Sequence, residues 1–127
     1  MKYGISKKVN LPFDTAIEKV TAELKTEGFG VLTTIDVKET LKKKLGVEFQ
    51  RYVILGACNP PFAYQSLLAE EEIGLLLPCN VIVYEKEGAT MVSAFDPMVM
   101  TSVIAKDELR KVADEVRQRL QRVIDRM

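Results

Sequence analysis

The chain has 127 residues, of which 47% are hydrophobic and 28% are charged. This mixture excludes a disordered or fibrous chain, and the length predicts a single domain over residues 1–127. The 18 lysines and arginines balance 18 aspartates and glutamates, so the net charge predicts no affinity for nucleic acid or for an acidic membrane surface. There is no histidine, which excludes histidine general bases and histidine metal sites.

Short elements of alternating type follow one another along the chain. Period-two alternation and β-branched content predict strands at 2–10, 29–35, 51–57, 81–84 and 90–95. Helical spacing of apolar residues predicts helices at 12–27, 37–46, 60–72 and 105–126. Gly28 is a left-handed stop, Asp36 and Glu39 resemble a capping box, and Asn59 before Pro60 favours a helix start.

The order of these elements favours an α+β domain. Strict alternation of strand and helix is absent, and a polar turn at 85–88 joins the last two strands as a hairpin. Residues 96–101 are predicted to form an apolar loop. We expect a mainly antiparallel sheet of about five strands with the helices packed on one face. The edges of such an open sheet need charge, cover or pairing with a second copy.

The two cysteines are the strongest candidates for chemistry. Cys58 ends a predicted strand just before a helix, Cys79 precedes the next strand, and Asn59 and Asn80 follow them. The backbone N–H groups of a helix N-terminus favour a thiolate at Cys58. Three interpretations stay open: buried structural thiols, a ligand or redox pair, and a nucleophile, for which the chain offers no partner base.

The sequence predicts no cofactor, and a soft metal ion is the alternative. Cys58 and Cys79 supply half of a tetrahedral set. Met98 and Met100 add sulfur that suits copper(I) or an axial haem position. The ordinary role of such methionines is to fill a core or an interface.

A pocket for a small ligand is the remaining hypothesis. The apolar segments 52–57, 75–84 and 91–100 are expected to enclose it beside the helices. Tyr52, Tyr64 and Tyr84 would offer their hydroxyls to this space, although the same side chains also suit an ordinary core.

Several segments in order resemble the domain-of-unknown-function 302 family. They are Gly28–Leu32 with Ile35–Val37, Leu55–Pro60, Ile73–Val81 and Val83–Glu85. The resemblance implies a fold like the TATA-box-binding protein (β-α-β4-α) with inserted short helices, and a homodimer. It implies no established activity. It places any site at 58–60 and 77–80.

We therefore predict a non-catalytic, dimeric binding module with a small-ligand pocket near Cys58 and Cys79. Its predicted lining residues are Cys58, Asn59, Cys79, Asn80, Tyr52 and Tyr84. The alternatives are a thiol redox or soft-metal site at the two cysteines, and cysteines that serve only packing. Partners are a second copy and a small molecule, without nucleic acid or membrane. The absence of a signal-peptide-like or membrane-length apolar segment, together with only two cysteines, predicts a cytoplasmic protein.

Overall fold

The computed structural model describes residues 2–127, in which five strands form one sheet. The strands are β1 (Gly4–Val9), β2 (Gly30–Asp36), β3 (Tyr52–Cys58), β4 (Cys79–Lys86) and β5 (Ala89–Phe95). Their spatial order is β1-β5-β4-β3-β2, and every neighbouring pair is antiparallel. The predicted antiparallel sheet of an α+β domain is confirmed.

The helices occupy the connections between strands and the end of the chain. They are α1 (Phe13–Thr26), α2 (Val37–Leu45), α3 (Pro60–Ala69), α4 (Met100–Val103) and α5 (Asp107–Asp125), with 3₁₀ helices at Glu71–Leu76 and Pro97–Val99. Without α2, α3, α4 and the 3₁₀ helices, the order is β-α-β4-α, as the family resemblance implied. None of the helices within residues 2–127 combines the length and hydropathy needed to span a membrane.

One face of the sheet carries the main core. Alternate residues of the central strands point to this face and are buried, including Leu55, Val83 and Val92. Leu24 of α1 and Leu120 of α5 pack against them. The apolar residues that alternate along the strands and those that recur at helical spacing therefore form one core, between a layer of helices and the sheet.

Two connections differ from the sequence prediction. The helix predicted over 60–72 ends at Ala69, because Glu70 adopts an extended conformation and its carboxylate accepts the Glu72 N–H at 3.3 Å, which starts a separate 3₁₀ helix. The predicted loop 96–101 is largely helical, because the Asp96 carboxylate accepts the Met98 N–H at 3.0 Å.

The sequence signals for the end of α1 and the start of α2 are confirmed. Gly28 has a φ of +88° directly after α1, a conformation that favours glycine. The Asp36 carboxylate accepts the Glu39 N–H at 3.0 Å and caps α2.

Candidate functional site

A narrow crevice lies where β3 ends and β4 begins, under α3 and α5. Its lining residues are mostly apolar, such as Phe62. The sulfur-containing or polar residues in the lining include Cys58, Cys79, Met100, Asn59 and Ser66. The space that the centre of a water-sized sphere can occupy is about 30 Å³. Since one water needs roughly 10–15 Å³ on this measure, the crevice in this conformation fits an ion or a few waters better than an organic ligand.

Sheet register brings the two cysteine residues next to each other at this end of the sheet. Cys79, the first residue of β4, is directly opposite Ala57, and Cys58 is the next residue along β3. Cys58 is half-buried, whereas Cys79 is 7% exposed, and both are free thiols. The two cysteines are thus neighbours although 20 residues separate them in the sequence.

The environment of Cys79 opposes its ionisation. Burial raises the pKa of its thiol to about 11, and the nearby charge of Cys58 adds to the effect. At neutral pH Cys79 is therefore a protonated thiol, which is a poor nucleophile.

The start of α3 offers little to an anion. Pro60 and Pro61 are its first two residues, and proline has no N–H. Of the first three residues of this helix, only Phe62 retains a donor. Two of the helix N–H groups that the sequence led us to expect as stabilisers of a Cys58 thiolate are therefore absent.

Asn59 occupies the N-cap position of α3 but makes no capping hydrogen bond with its side chain. Its amide nitrogen instead donates to the Glu27 carbonyl oxygen at 3.1 Å. Arg119 of α5 donates to the same oxygen at 3.0 Å. Asn59 is thus a buried link between the end of α1 and the start of α3, because a free carbonyl at a helix end needs donors.

The structure does not bring the two strand tyrosines to the crevice. Tyr52 and Tyr84 face each other across β3 and β4 and stack with ring centroids 5.4 Å apart. They lie five residues from the Ala57–Cys79 pair, which corresponds to roughly 17 Å along a strand. Burial, and then the charge of Tyr84, raises the pKa of Tyr52.

Two further residues considered in the sequence also lie outside the crevice. Asn80 is exposed and pairs with Gly56, so its alternation places it on the sheet face opposite the helices. Tyr64 is 64% exposed on α3.

The two methionines separate. Met100 is buried and lines the crevice, whereas Met98 lies in a shallow depression beside α5. Ser66, which the sequence did not single out, is buried in the wall and donates its hydroxyl to the Phe62 carbonyl at 2.8 Å. A serine among the apolar residues of α3 is the only signal that pointed to it. Within residues 2–127, no three His, Cys, Asp or Glu side chains group together as metal ligands.

Comparison with known proteins identifies the family of the chain. The model for the domain of unknown function DUF302 matches residues 5–127. The chain belongs to the DUF302 family. It is similar to the crystal structure of an uncharacterized conserved DUF302 protein from Bacillus stearothermophilus, with 31% sequence identity and a TM-score of 0.92. That match covers 99% of this chain and 98% of the other. The comparison with curated proteins found no match.

Proposed function

We propose that this DUF302 chain is a non-catalytic binding module that works as a homodimer, with the crevice near Cys58 and Cys79 as its small-ligand site. The interface is the sheet face that carries no helices, here called the open face. In the middle of its three central strands the open face consists of Tyr52, Ile54, Gly56, Asn80, Ile82, Tyr84, Met91 and Ser93. At one end of this face lie two lysines, Lys86 of β4 and Lys8 of β1.

The composition of the open face is the observation that carries this proposal. None of those eight residues is charged. Ile35, Ile54 and Ile82 are paired neighbours across β2, β3 and β4, and Ile35 is 47% exposed. An antiparallel sheet that keeps one face in water normally carries polar residues there. Isoleucine, tyrosine and methionine in these positions favour cover by an apolar surface.

A second copy fits this surface because the sheet edges disfavour the other mode of pairing. The β1 edge carries Lys7 and Lys8, and the β2 edge is broken by a register shift between Val31 and Thr33. Charge and bulges are devices that block edge-to-edge pairing of strands. Face-to-face packing needs neither edge and presents the same surface, with an uncharged centre, from both copies.

The size of the open face sets the expected strength of the dimer. Five strands about 4.8 Å apart and roughly 22 Å long present a flat area of about 500 Å². Two copies together would bury about 1,000 Å², which is near the lower limit for a specific interface. We therefore expect a dimer that dissociates on dilution.

Sedimentation of matched variants tests the interface. Ile82→Lys places a charge at the centre of the open face, where solvent can hydrate it in the monomer. Leu75→Lys is the control, because Leu75 is 83% exposed in the 3₁₀ helix on another surface. The wild type and Leu75→Lys should form concentration-dependent dimers, and Ile82→Lys should remain monomeric with unchanged circular dichroism. A monomeric wild type at its highest soluble concentration, or a dimeric Ile82→Lys, would refute the interface.

Ligand binding at the crevice is favoured over catalysis there. The chain has no histidine, and the high pKa of Cys79, about 11, keeps that thiol protonated at neutral pH. A largely apolar crevice with a few converging polar or sulfur atoms is the usual form of a binding site. Crevice binding is independent of the dimer.

A further inference from the structure

Helix α3 exposes large apolar side chains to solvent and buries a serine. Apart from Gln65 and Ser66, its residues are prolines, alanines, leucines and aromatics. The buried residue of this helix is Ser66, whereas Tyr64 and Leu68 are 64% and 70% exposed. Their spacing of four residues places Tyr64 and Leu68 on the same outer face. Because a surface helix normally carries polar residues there, the outer face of α3 favours contact with another apolar surface.

Leu68 also lies in an open groove between α3 and the first half of α5, here called the α3–α5 groove. Its apolar lining residues are Leu68, Ala69 and Val112, and its polar lining residues are Gln65, Lys106, Glu108 and Lys111. The space that the centre of a water-sized sphere can occupy is about 750 Å³, against about 30 Å³ in the crevice. The α3–α5 groove is therefore wide enough to receive side chains of another molecule.

The charges at the α3–α5 groove are mostly negative. The Lys106 ammonium donates to the Glu70 carboxylate at 2.9 Å, so these two charges neutralise each other. The same carboxylate accepts the Glu72 N–H at 3.3 Å, which places the exposed Glu71 and Glu72 at this end of the groove. Within residues 2–127, the carboxylates here that make no ion pair are Glu71, Glu72 and Glu108, and the ammonium that makes none is Lys111.

These charges select among the occupants of the groove. In a symmetric contact between two copies, the same carboxylates would face one another, and like charges disfavour such an interface. A nucleic acid or an acidic membrane surface would meet the same repulsion. A protein surface that combines apolar and positively charged side chains matches both properties of the groove.

The walls of the α3–α5 groove favour a helical partner. Both walls are helices, which bond their backbone groups internally and therefore offer an extended peptide no strand to pair with. A helix satisfies its own backbone N–H and C=O groups. The 10 residues of α3 correspond to a length of about 15 Å, which about three turns of a partner helix would cover.

We propose that the α3–α5 groove and the outer face of α3 dock one amphipathic helix of a partner protein, with leucine-like residues on one side and lysines or arginines beside them. Leu68 is the central contact, because it belongs to both surfaces. The docking surface lies on the helical side of the sheet, so it requires neither the open-face dimer nor a ligand in the crevice.

Fluorescence anisotropy with a synthetic peptide tests this surface. The probe is a labelled peptide of leucine and lysine, about 14 residues long, with its leucines at helical spacing. One matched peptide has the same composition in an order without an apolar face, and another has glutamate in place of lysine. We expect the full-length chain to bind one leucine–lysine helix and to bind both matched peptides at least about tenfold more weakly.

Two exposed leucines provide a matched pair of variants. Leu68 and Leu45 are 70% and 69% exposed, and Leu45 ends α2, outside the groove. Leu68→Lys should lower the affinity for the leucine–lysine helix by about tenfold or more, because one leucine contact is lost. Leu45→Lys should leave the affinity unchanged. Circular dichroism checks that both variants fold.

A double substitution, Glu71→Lys with Glu72→Lys, tests the role of charge. It should weaken binding of the leucine–lysine helix and strengthen binding of the leucine–glutamate helix, each by about threefold to tenfold. Loss of folded structure would not produce this reversal. Glu18→Lys with Glu87→Lys makes the same change in net charge at exposed positions elsewhere, and it should not reverse the preference.

Four results would overturn this proposal. The first is a wild type that does not bind the leucine–lysine helix, or that binds the matched peptides equally well. The second is equal affinity of Leu68→Lys and Leu45→Lys, and the third is an unchanged preference after the substitutions at Glu71 and Glu72. The fourth is a different occupant. Loss of a dimer in Leu68→Lys but not in Leu45→Lys would assign the groove to a second copy, and loss of binding to phosphatidylcholine vesicles in Leu68→Lys alone would assign it to a membrane.

Discussion

Glu27, at the end of α1, ties that helix to α5 through a two-arginine network, and Glu27→Gln is the perturbation that tests it. The Arg122 guanidinium donates to the two Glu27 carboxylate oxygens at 2.9 and 3.1 Å, and Arg126 donates to one of them at 3.0 Å. The Glu27 side chain is 12% exposed. Glutamine keeps the size and one acceptor but removes the charge.

The magnitude follows from the ionisation of Glu27. The Arg122 hydrogen bond is the largest cause that lowers its pKa from 4.5 to about 2; burial opposes this, and Arg126 adds to it. That difference corresponds to about 3 kcal/mol as an upper bound. The side chains of Arg122 and Arg126 are 47% and 38% exposed, so water screens them and we expect about 1–2 kcal/mol.

Urea unfolding, followed by circular dichroism, measures this contribution as a function of pH. Because the folded pKa of Glu27 lies below the unfolded value, the stabilisation is complete above pH 4.5 and is lost as the pH falls towards about 2. Glu27→Gln should be less stable than the wild type at pH 7, and the difference should shrink towards the acid end. Glu18→Gln, an exposed position of α1, is the control.

Two results would contradict this account. One is a stability difference between wild type and Glu27→Gln that stays constant from neutral to acid pH. It would mean that the change in side-chain shape, and not the loss of charge, destabilises the variant. The other is a loss at pH 7 no larger than that of Glu18→Gln, which would mean that the ion pairs contribute nothing measurable.

Three further predictions concern single positions. Gly56→Ala should lower the unfolding free energy by about 1–3 kcal/mol, because the added Cβ would overlap the Thr33 hydroxyl; Thr33→Ala in the same chain should recover part of that loss in urea unfolding, and no recovery would rule out the contact. The rate at which iodoacetamide alkylates Cys79, followed by peptide mass spectrometry, should still rise with pH above 9.0, the usual pKa of a cysteine thiol, because the pKa of Cys79 in the folded chain is about 11. A rate that becomes constant by pH 9.0 would count against burial of this thiol. Asp36→Ala should weaken α2 by about 1 kcal/mol and speed hydrogen exchange only there, since α2 has no buried residue; Asp36→Asn keeps an acceptor and should not, and faster exchange throughout the chain would disprove a local effect.

The sequence predicted the sheet and its helices because their signals are local. Gly28 and Asp36 act through backbone conformation and one short hydrogen bond, which neighbouring residues specify. The break after Ala69 was missed because it depends on the extended conformation of Glu70. Three glutamates, which are good helix formers, follow Ala69, so local propensity carries no sign of the break.

The candidate site was predicted only in part, because it depends on register and tertiary contacts. Alternation alone does not say which ends of two strands meet, so Tyr52 and Tyr84 were grouped with thiols that lie at the other end of the same strands. Asn59 carries a strong capping signal, yet its side chain serves Glu27 of another helix. Local propensity yields to a distant partner whenever that partner would otherwise stay unsatisfied.

The proposed homodimer is tested most directly by native mass spectrometry of the freshly purified full chain at high concentration, with and without a metal chelator. We expect a species of twice the 14.3 kDa chain mass that the chelator leaves intact, because the open face lies apart from the crevice. A single species at the mass of one chain under both conditions would contradict the account.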